Sequence, residues 1–233
     1  MSDHLTEEEQ LEALKRWWKE NGKWVVTAVV LSVGGYFGWG AWQDQQRAQA
    51  EAASQIYTEL LETLAVQEPD EPGSNERVRA QALATELKTD YGHSAYAINA
   101  ALINAGSFVK TGDLEEAERE LRWVLEQQPE AAVAEVARLR LSRVLLAQGD
   151  AQGALAEVTG RPEVDSLKSD YAELRGDGHL ALGNIQAARE AYEVALNSLG
   201  PQQQNRHTLL RSKLNNLPAN GSESNAEPEE NAS

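Results

Sequence analysis

An apolar stretch near the N-terminus predicts a helix that crosses a membrane. Residues 24–42 read WVVTAVVLSVGGYFGWGAW and contain no Asp, Glu, Lys or Arg. Because the hydrocarbon region contains no water to hydrogen-bond unpaired backbone N–H and C=O groups, a segment that crosses it favours a helix. A helix of this length rises about 28 Å, close to the roughly 30 Å of a bilayer core. Tryptophans near both ends suit the headgroup zones. A buried helix in a soluble core is the alternative.

The charges around this stretch predict its orientation. The basic residues that precede it are Lys15, Arg16, Lys19 and Lys23. The first basic residue after it is Arg47. Because basic residues are retained on the cytoplasmic face, we expect residues 1–23 inside and residues 43–233 outside. Bulky Trp39 and Trp42 stand where a cleavage site needs small residues, so we favour an uncleaved anchor over a signal peptide.

Two segments of this region are candidates for contact with a membrane partner. Gly34 and Gly38 have the spacing that lets two helices approach closely in lipid. The cytoplasmic segment, residues 1–23, predicts a short helix that begins with a capping box at Thr6 and ends at Asn21 and Gly22. This segment is either a simple topology anchor or a docking site for a membrane partner.

Apolar positions after residue 42 predict two further stretches of helix. From Gln43 the anchor helix is expected to run on, since Ile56, Leu60 and Leu64 recur every four residues. A loop over residues 68–75 ends it, because this segment holds two prolines and a glycine. The next helix covers residues 76–91, with Gly92 as a left-handed cap. Its expected apolar face comprises Val78, Ala82, Leu83 and Leu87.

Three similar segments predict a repeated pair of helices. They contain Gly112, Gly149 and Gly183, at intervals of 37 and 34 residues. In each, Asp or Asn follows the glycine, and an alanine comes five residues after it. The glycine is expected in the left-handed conformation, and the Asp or Asn side chain is expected to cap the next helix. The alanine must be small because the paired helices cross there.

This pattern is typical of tetratricopeptide repeats, helix pairs whose apolar faces are buried by stacking. The fold class is therefore all-α, a single-pass transmembrane helix followed by a tetratricopeptide-like helical-repeat solenoid over residues 43–217. The middle repeat should be distorted, because its second helix runs into Gly160 and Pro162. A closing helix over residues 203–217 caps the array. Residues 218–233 contain four Glu and no large apolar side chain, which predicts a disordered acidic tail.

Composition and motifs argue against several kinds of chemistry. The net charge of −16 opposes binding to nucleic acid. The chain has no cysteine, which excludes disulfides, thiolate catalysis and cysteine-based zinc sites. No nucleotide-binding or protease motif occurs, and no histidines pair at metal-ligand spacing. We expect no enzyme, cofactor or metal site. Asp170, Glu173 and Asp177 are interpreted as a solvated acidic face.

A stacked array of this kind offers a groove lined by the first helix of each pair. We expect that groove to hold extended or partly folded polypeptide. Aligning the repeats on their small alanines gives the groove candidates Asn99, Leu102, Leu139, Arg143, Leu146, Asp177 and Leu180. Each of these residues could equally belong to the core or to plain surface.

Several segments resemble the YfgM-like family. They are LEALKRWWKENGK before the anchor, GWGAW at its exit, LRLSRVLLAQGDAQGAL, LRGDGHLALGNIQAAREAYE and the closing KLNNL. The resemblance spans about residues 11–217, and the tail lies beyond it. It implies a single-pass inner-membrane protein with a periplasmic tetratricopeptide-like domain, ancillary to the SecYEG translocon. It also implies a second partner, a membrane-anchored, prolyl-isomerase-like periplasmic chaperone.

The sequence leaves several functions open. The leading hypothesis is an interaction protein beside the translocon that passes emerging polypeptides to periplasmic chaperones. The alternative is a regulator of envelope stress signalling, which binds a cytoplasmic or membrane signalling partner through residues 1–23 or the anchor. A scaffold that self-associates through its groove is a further possibility.

A Gly38→Leu substitution tests the predicted membrane-helix contact. The leucine side chain would hold two helices apart, so we expect the variant to assemble less with its partner helix. Copurification of partners from membranes measures this. Assembly at the wild-type level would contradict the contact.

Overall fold

The computed structural model describes residues 7–65, 75–200 and 202–218, and within these ranges the chain is helical with no strand. The chain divides into two compact units, Met1–Ala52 and Ala53–Ser233. The helices are α1 (Glu7–Ala65), α2 (Asn75–Asp90), α3 (Ala95–Thr111), α4 (Leu114–Glu126), α5 (Ala131–Gln148), α6 (Ala151–Glu157), α7 (Lys168–Ala181), α8 (Ile185–Asn197) and α9 (Gln204–Asn215). Thr6 of the predicted capping box, residues 68–74 of the predicted loop and residues 219–233 of the predicted tail lie outside the described residues.

Helix α1 is continuous through Asn21 and Gly22, where the sequence predicts a break. The Asn21 side chain donates to the carbonyl of Trp17 (3.2 Å), and Gly22 packs on the Trp18 indole. A glycine inside a helix costs only about 1 kcal/mol relative to alanine, too little to end so long a helix. Among the described residues, α1 is the one helix long and apolar enough to cross a membrane, and its apolar window is not buried in the structure.

Helix α2 lies within one residue of its predicted bounds, and Leu83 and Leu87 of its predicted apolar face are buried, whereas Val78 and Ala82 are exposed. Its buried residues are Ala80, Leu83, Ala84 and Leu87. Val78 is 61% exposed, because small alanines rather than the larger valine meet the neighbouring helices. Gly92 is also not left-handed as predicted. An added Cβ there would come 2.9 Å from the Lys88 carbonyl oxygen, so the position needs glycine for close approach.

The turns inside the repeats follow the prediction for glycine. Gly112, Gly149 and Gly183 have φ values of 84°, 87° and 76°, the left-handed region that glycine adopts without a steric penalty. The capping prediction holds only at Asp150, whose carboxylate accepts from the backbone N–H of Gly153 (2.8 Å). The side chains of Asp113 and Asn184 make no such cap. The predicted crossing alanines, Ala117, Ala154 and Ala188, are fully buried.

Buried side chains join each helix to the next within Ala53–Ser233. One cluster joins the end of α1 to α2 and α3, and includes Leu60, Leu83 and Ala97. A second joins α3, α4, α5 and α6. Two more join α5 to α7 and α7 to α8 and α9. The helices therefore share a continuous series of apolar contacts, as expected for repeats stabilised by their neighbours.

The middle repeat is distorted as predicted. Helix α6 ends at Glu157, and the chain passes through Gly160, with φ of 88°, before α7. The buried carboxylate of Glu135 on α5 accepts from the backbone N–H groups of Glu163 and Val164. These bonds satisfy buried backbone groups of a segment that has no helical partners of its own.

We predict that Gly176→Ala destabilises the unit Ala53–Ser233. An added methyl would overlap the ring of Tyr192 where α7 crosses α8. Overpacking of this kind costs about 1–3 kcal/mol. Urea unfolding of residues 43–217 measures the change.

Gly106→Ala is the matched control for this prediction. An added Cβ at Gly106 on α3 meets no atom within 4 Å. The Gly106→Ala substitution should leave the free energy of unfolding unchanged or raise it by up to about 1 kcal/mol, because alanine has a higher helix propensity than glycine. Equal effects of the two substitutions would contradict the proposed steric role of Gly176.

Candidate interaction surface

A cleft of about 1030 Å³ lies along α3 and α5. Its walls come mainly from the first helices of two successive pairs, where a tetratricopeptide-like groove is expected. Leu64 of α1 and Arg77 of α2 border it. Apolar residues on its surface include Leu102, Ile103, Val109, Leu114, Val144 and Ala147. The cleft can therefore accept apolar side chains of a bound segment.

In the part of the chain that the structure describes, the charged residues that line the cleft are all basic. They are Arg77, Lys110, Arg140 and Arg143. Arg140 on α5 donates to the backbone carbonyl of Leu102 on α3 (3.1 Å), which joins the two walls. Arg143 lies 3.4 Å from a carboxylate oxygen of Asp170 on α7. A surface that combines apolar side chains with cations favours ligands that carry negative charge.

The structure places the predicted groove residues in different environments. Leu102 and Arg143 line the cleft. Leu139 is buried between α5 and α7, and Leu146 packs against two core clusters. Asn99 and Leu180 are exposed on α3 and α7. Binding by any of the predicted residues stays a prediction.

Sequence reasoning missed several residues of the cleft, among them Val109, Lys110 and Arg140. Helical spacing could have found some of them. Val109 lies seven residues after Leu102, and Arg140 lies three before Arg143, so each shares a face with a predicted residue. Leu64 and Arg77 carry no such signal, because only the packing of α1 and α2 brings them to the cleft.

The acidic residues of α7 form an ion-pair network rather than the predicted solvated face. Arg206 of α9 donates to Asp170 (2.8 Å) and to Glu173 (2.7 Å). Lys213 of α9 donates to Glu173 (2.8 Å) and to Asp177 (2.7 Å). Asp177, a groove candidate, therefore contributes to the docking of α9 on α7.

The network shifts the pKa values of its members. Burial of Glu173 opposes its ionisation, but hydrogen bonds and charges from Lys213 and Arg206 outweigh burial and lower its pKa. Burial likewise opposes the charge on Lys213, but Asp177 and Glu173 outweigh it and raise the pKa. Burial, with the hydrogen bond to Asp177, raises the pKa of Tyr192. The shifts keep these groups in their usual ionisation states near neutral pH, as a structural network requires.

The described residues form no cluster with the composition of a metal site. No three His, Asp or Glu side chains converge there in a way that could hold a metal ion.

Gly34 and Gly38 of α1 are open, since a Cβ on either meets no atom within 4 Å. Gly40 is equally open and lies about 200° around the helix from Gly38. Gly40→Leu is therefore a matched control for Gly38→Leu.

We predict that Glu173→Gln makes the free energy of unfolding less dependent on pH in the acid range. The folded pKa of Glu173 lies below its ordinary value of 4.5. Its ionised form therefore stabilises the fold above that value, and the contribution is lost as pH falls through the folded pKa. The contribution of Lys213 to stability has the opposite pH dependence. It is present below pH 10.5, the ordinary pKa of a lysine, and is lost as pH rises through the raised folded pKa.

The variant should lower the free energy of unfolding at pH 7 by about 2 kcal/mol. It should also lose less stability than the parent chain between pH 7 and pH 3. Urea unfolding at each pH measures both effects. Glu193→Gln, on the exposed surface of α8, is the control and should follow the parent chain. A parallel shift of the whole pH profile would contradict the assignment.

Comparison with known proteins identifies the family. The profile of the tetratricopeptide repeat-like domain matches residues 15–219. A protein of Haemophilus influenzae named "Ancillary SecYEG translocon subunit" is 33% identical over 217 residues, covering 93% of this chain and 100% of that protein. Proteins with the same name from Neisseria gonorrhoeae and Escherichia coli are 30% and 31% identical, and 100% and 99% of their lengths are covered. No solved structure matches the chain significantly.

These matches confirm the all-α, tetratricopeptide-like fold and the resemblance found in the sequence motifs. They extend over almost the entire length of each relative. The chain belongs to the YfgM-like family of ancillary SecYEG translocon subunits, with a tetratricopeptide repeat-like domain.

Proposed function

We propose that this chain is a non-enzymatic interaction protein that associates with the Sec translocon at the bacterial inner membrane. The relatives carry the name of translocon subunits, and α1 contains one stretch long and apolar enough to span the bilayer. Residues 24–42 form the anchor, with residues 1–23 in the cytoplasm and residues 43–217 in the periplasm. The basic residues before the anchor support this orientation.

The cleft along α3 and α5 is the proposed binding site for emerging polypeptides, and it is the observation on which this function rests. Its volume of about 1030 Å³ lies at the upper limit of typical small-molecule pockets, which suits a segment of several side chains. Val109 is 46% exposed on its surface, so an apolar side chain is available to a client. Anchoring beside the translocon raises the effective concentration of clients, so individually weak contacts suffice.

A membrane-anchored, prolyl-isomerase-like chaperone of the periplasm is the proposed second partner. In this scheme the outer domain transfers a bound segment to the chaperone, which shares the same membrane surface. The family resemblance of the sequence motifs supports this partner. Transfer requires no catalytic group, because two weak binding sites at high local concentration can exchange a ligand rapidly.

Site-specific photo-crosslinking in membranes tests the proposal. Val109 carries the probe in the cleft, and Val194 on α8 is the matched control, because both are exposed valines (46% and 49%) and Val194 does not line the cleft. A probe at Trp42 reports contacts of the anchor. We expect translocon subunits from Trp42, and secreted chains or the chaperone from Val109 at least about fivefold more than from Val194.

The outcomes separate the hypotheses. Equal client yields at Val109 and Val194 would remove the cleft from the proposal. Crosslinks only to a signalling protein, lost on deletion of residues 1–14, would favour the regulatory alternative. Val109→Asp is the substitution that should weaken client binding in the cleft without disturbing the fold, because Val109 is exposed. Leu146 is less suitable, since it packs against two core clusters and an Asp there would disturb the fold.

A further inference from the structure

The charge of the cleft is opposite to that of the chain. The whole sequence has 37 acidic and 21 basic residues, yet among the described residues the lining of the cleft includes four basic side chains and no acidic one. They come from three helices, with Arg77 on α2, Lys110 on α3, and Arg140 and Arg143 on α5. Convergence of like charges is unfavourable unless an opposite charge comes near them. The cleft therefore fits an acidic ligand.

The contacts of Arg140 and Arg143 leave positive charge available. Arg140 donates to a neutral backbone carbonyl, which does not compensate its charge. The Arg143 side chain is 52% exposed, and its bond to Asp170 is long at 3.4 Å. The neighbouring depression at the α3–α4 turn has the opposite charge, with Asp113, Glu115, Glu116 and Glu118 among its lining residues. An acidic ligand would therefore be directed away from this turn and towards α5.

The chain itself contains such a ligand. Residues 219–233 carry Glu223, Glu227, Glu229 and Glu230 and no Lys or Arg. All but the first residue of this segment lie beyond the residues matched by the family profile, which end at 219.

The network on α7 brings the start of α9 close to the cleft. Asp170 accepts hydrogen bonds from Arg143 of the cleft and from Arg206 of α9. From Arg206 the chain reaches Pro218 within about 18 Å at helical rise. The fifteen residues that follow can span up to about 50 Å when extended. The acidic segment can therefore reach the basic wall without any rearrangement of the helices.

We propose that the acidic segment, residues 219–233, binds in the basic cleft of the same chain. Each exposed ion pair is weak, but the covalent tether supplies an effective concentration in the millimolar range. Occupancy is then sensitive to salt, because exposed charges are screened within about 10 Å at 0.1 M ionic strength. The binding does not depend on clients. If the proposed function holds as well, the segment competes with a client for the cleft.

Double-cysteine crosslinking in the full chain, embedded in lipid nanodiscs, tests this proposal. The chain has no cysteine, so Ser107→Cys on the cleft wall and Ser224→Cys in the segment form a unique pair. The comparison pair combines Ser224→Cys with Ser198→Cys, which is exposed at the end of α8. Ser198 is closer to Ser224 along the chain, so a segment without a binding site would favour it. A short bismaleimide reagent and peptide mass spectrometry give the rate for each pair.

We expect the Ser107 pair to react at least about threefold faster than the Ser198 pair at low salt. That preference should disappear in 0.5 M salt and when the four glutamates are changed to Gln. The glutamate changes follow the last described helix, which ends at Asn215, so they leave the described fold unaltered. A faster Ser198 pair, an unchanged rate after either treatment, or crosslinks between two chains would each overturn the proposal. Client crosslinking at Val109 is a separate readout, so the two proposals fail independently.

Discussion

Close approach of paired helices at small residues is the constraint on which the unit Ala53–Ser233 depends. Ala117, Ala154 and Ala188 are fully buried where the helices of each pair cross. Gly176 extends the same principle, since its missing side chain admits the ring of Tyr192. These contacts fix the separation of the helices, and the larger apolar residues can fill the remaining space only at that separation.

Buried and half-buried carboxylates also connect the helices. Glu120 on α4 accepts from Lys88 of α2 (2.7 Å) and Asn104 of α3 (3.2 Å). Glu135 holds the irregular segment after α6, and Glu173 holds α9. A buried carboxylate is costly unless it is fully bonded, so each of these residues specifies one arrangement of its neighbours. The distorted repeat remains ordered for this reason.

The cleft is a consequence of the same packing. Helix α6 is short, and α5 packs directly against α7 through Leu139 and Leu174. Along α3 and α5, Arg140 joins the walls at the carbonyl of Leu102 while apolar and basic side chains remain accessible. The ion-pair network on α7 also connects the cleft wall to the final helix.

The sequence by itself determined the features that depend on neighbouring residues. The apolar stretch at residues 24–42, the left-handed glycines at 112, 149 and 183 and the crossing alanines all follow from local composition and spacing. Only the tertiary structure decided which face of α2 is buried, that the acidic residues of α7 pair with Arg206 and Lys213, and which cations line the cleft. The physical reason is distance along the chain. Partners more than thirty residues apart leave no periodic signal, since their encounter is set by the packing of intervening helices.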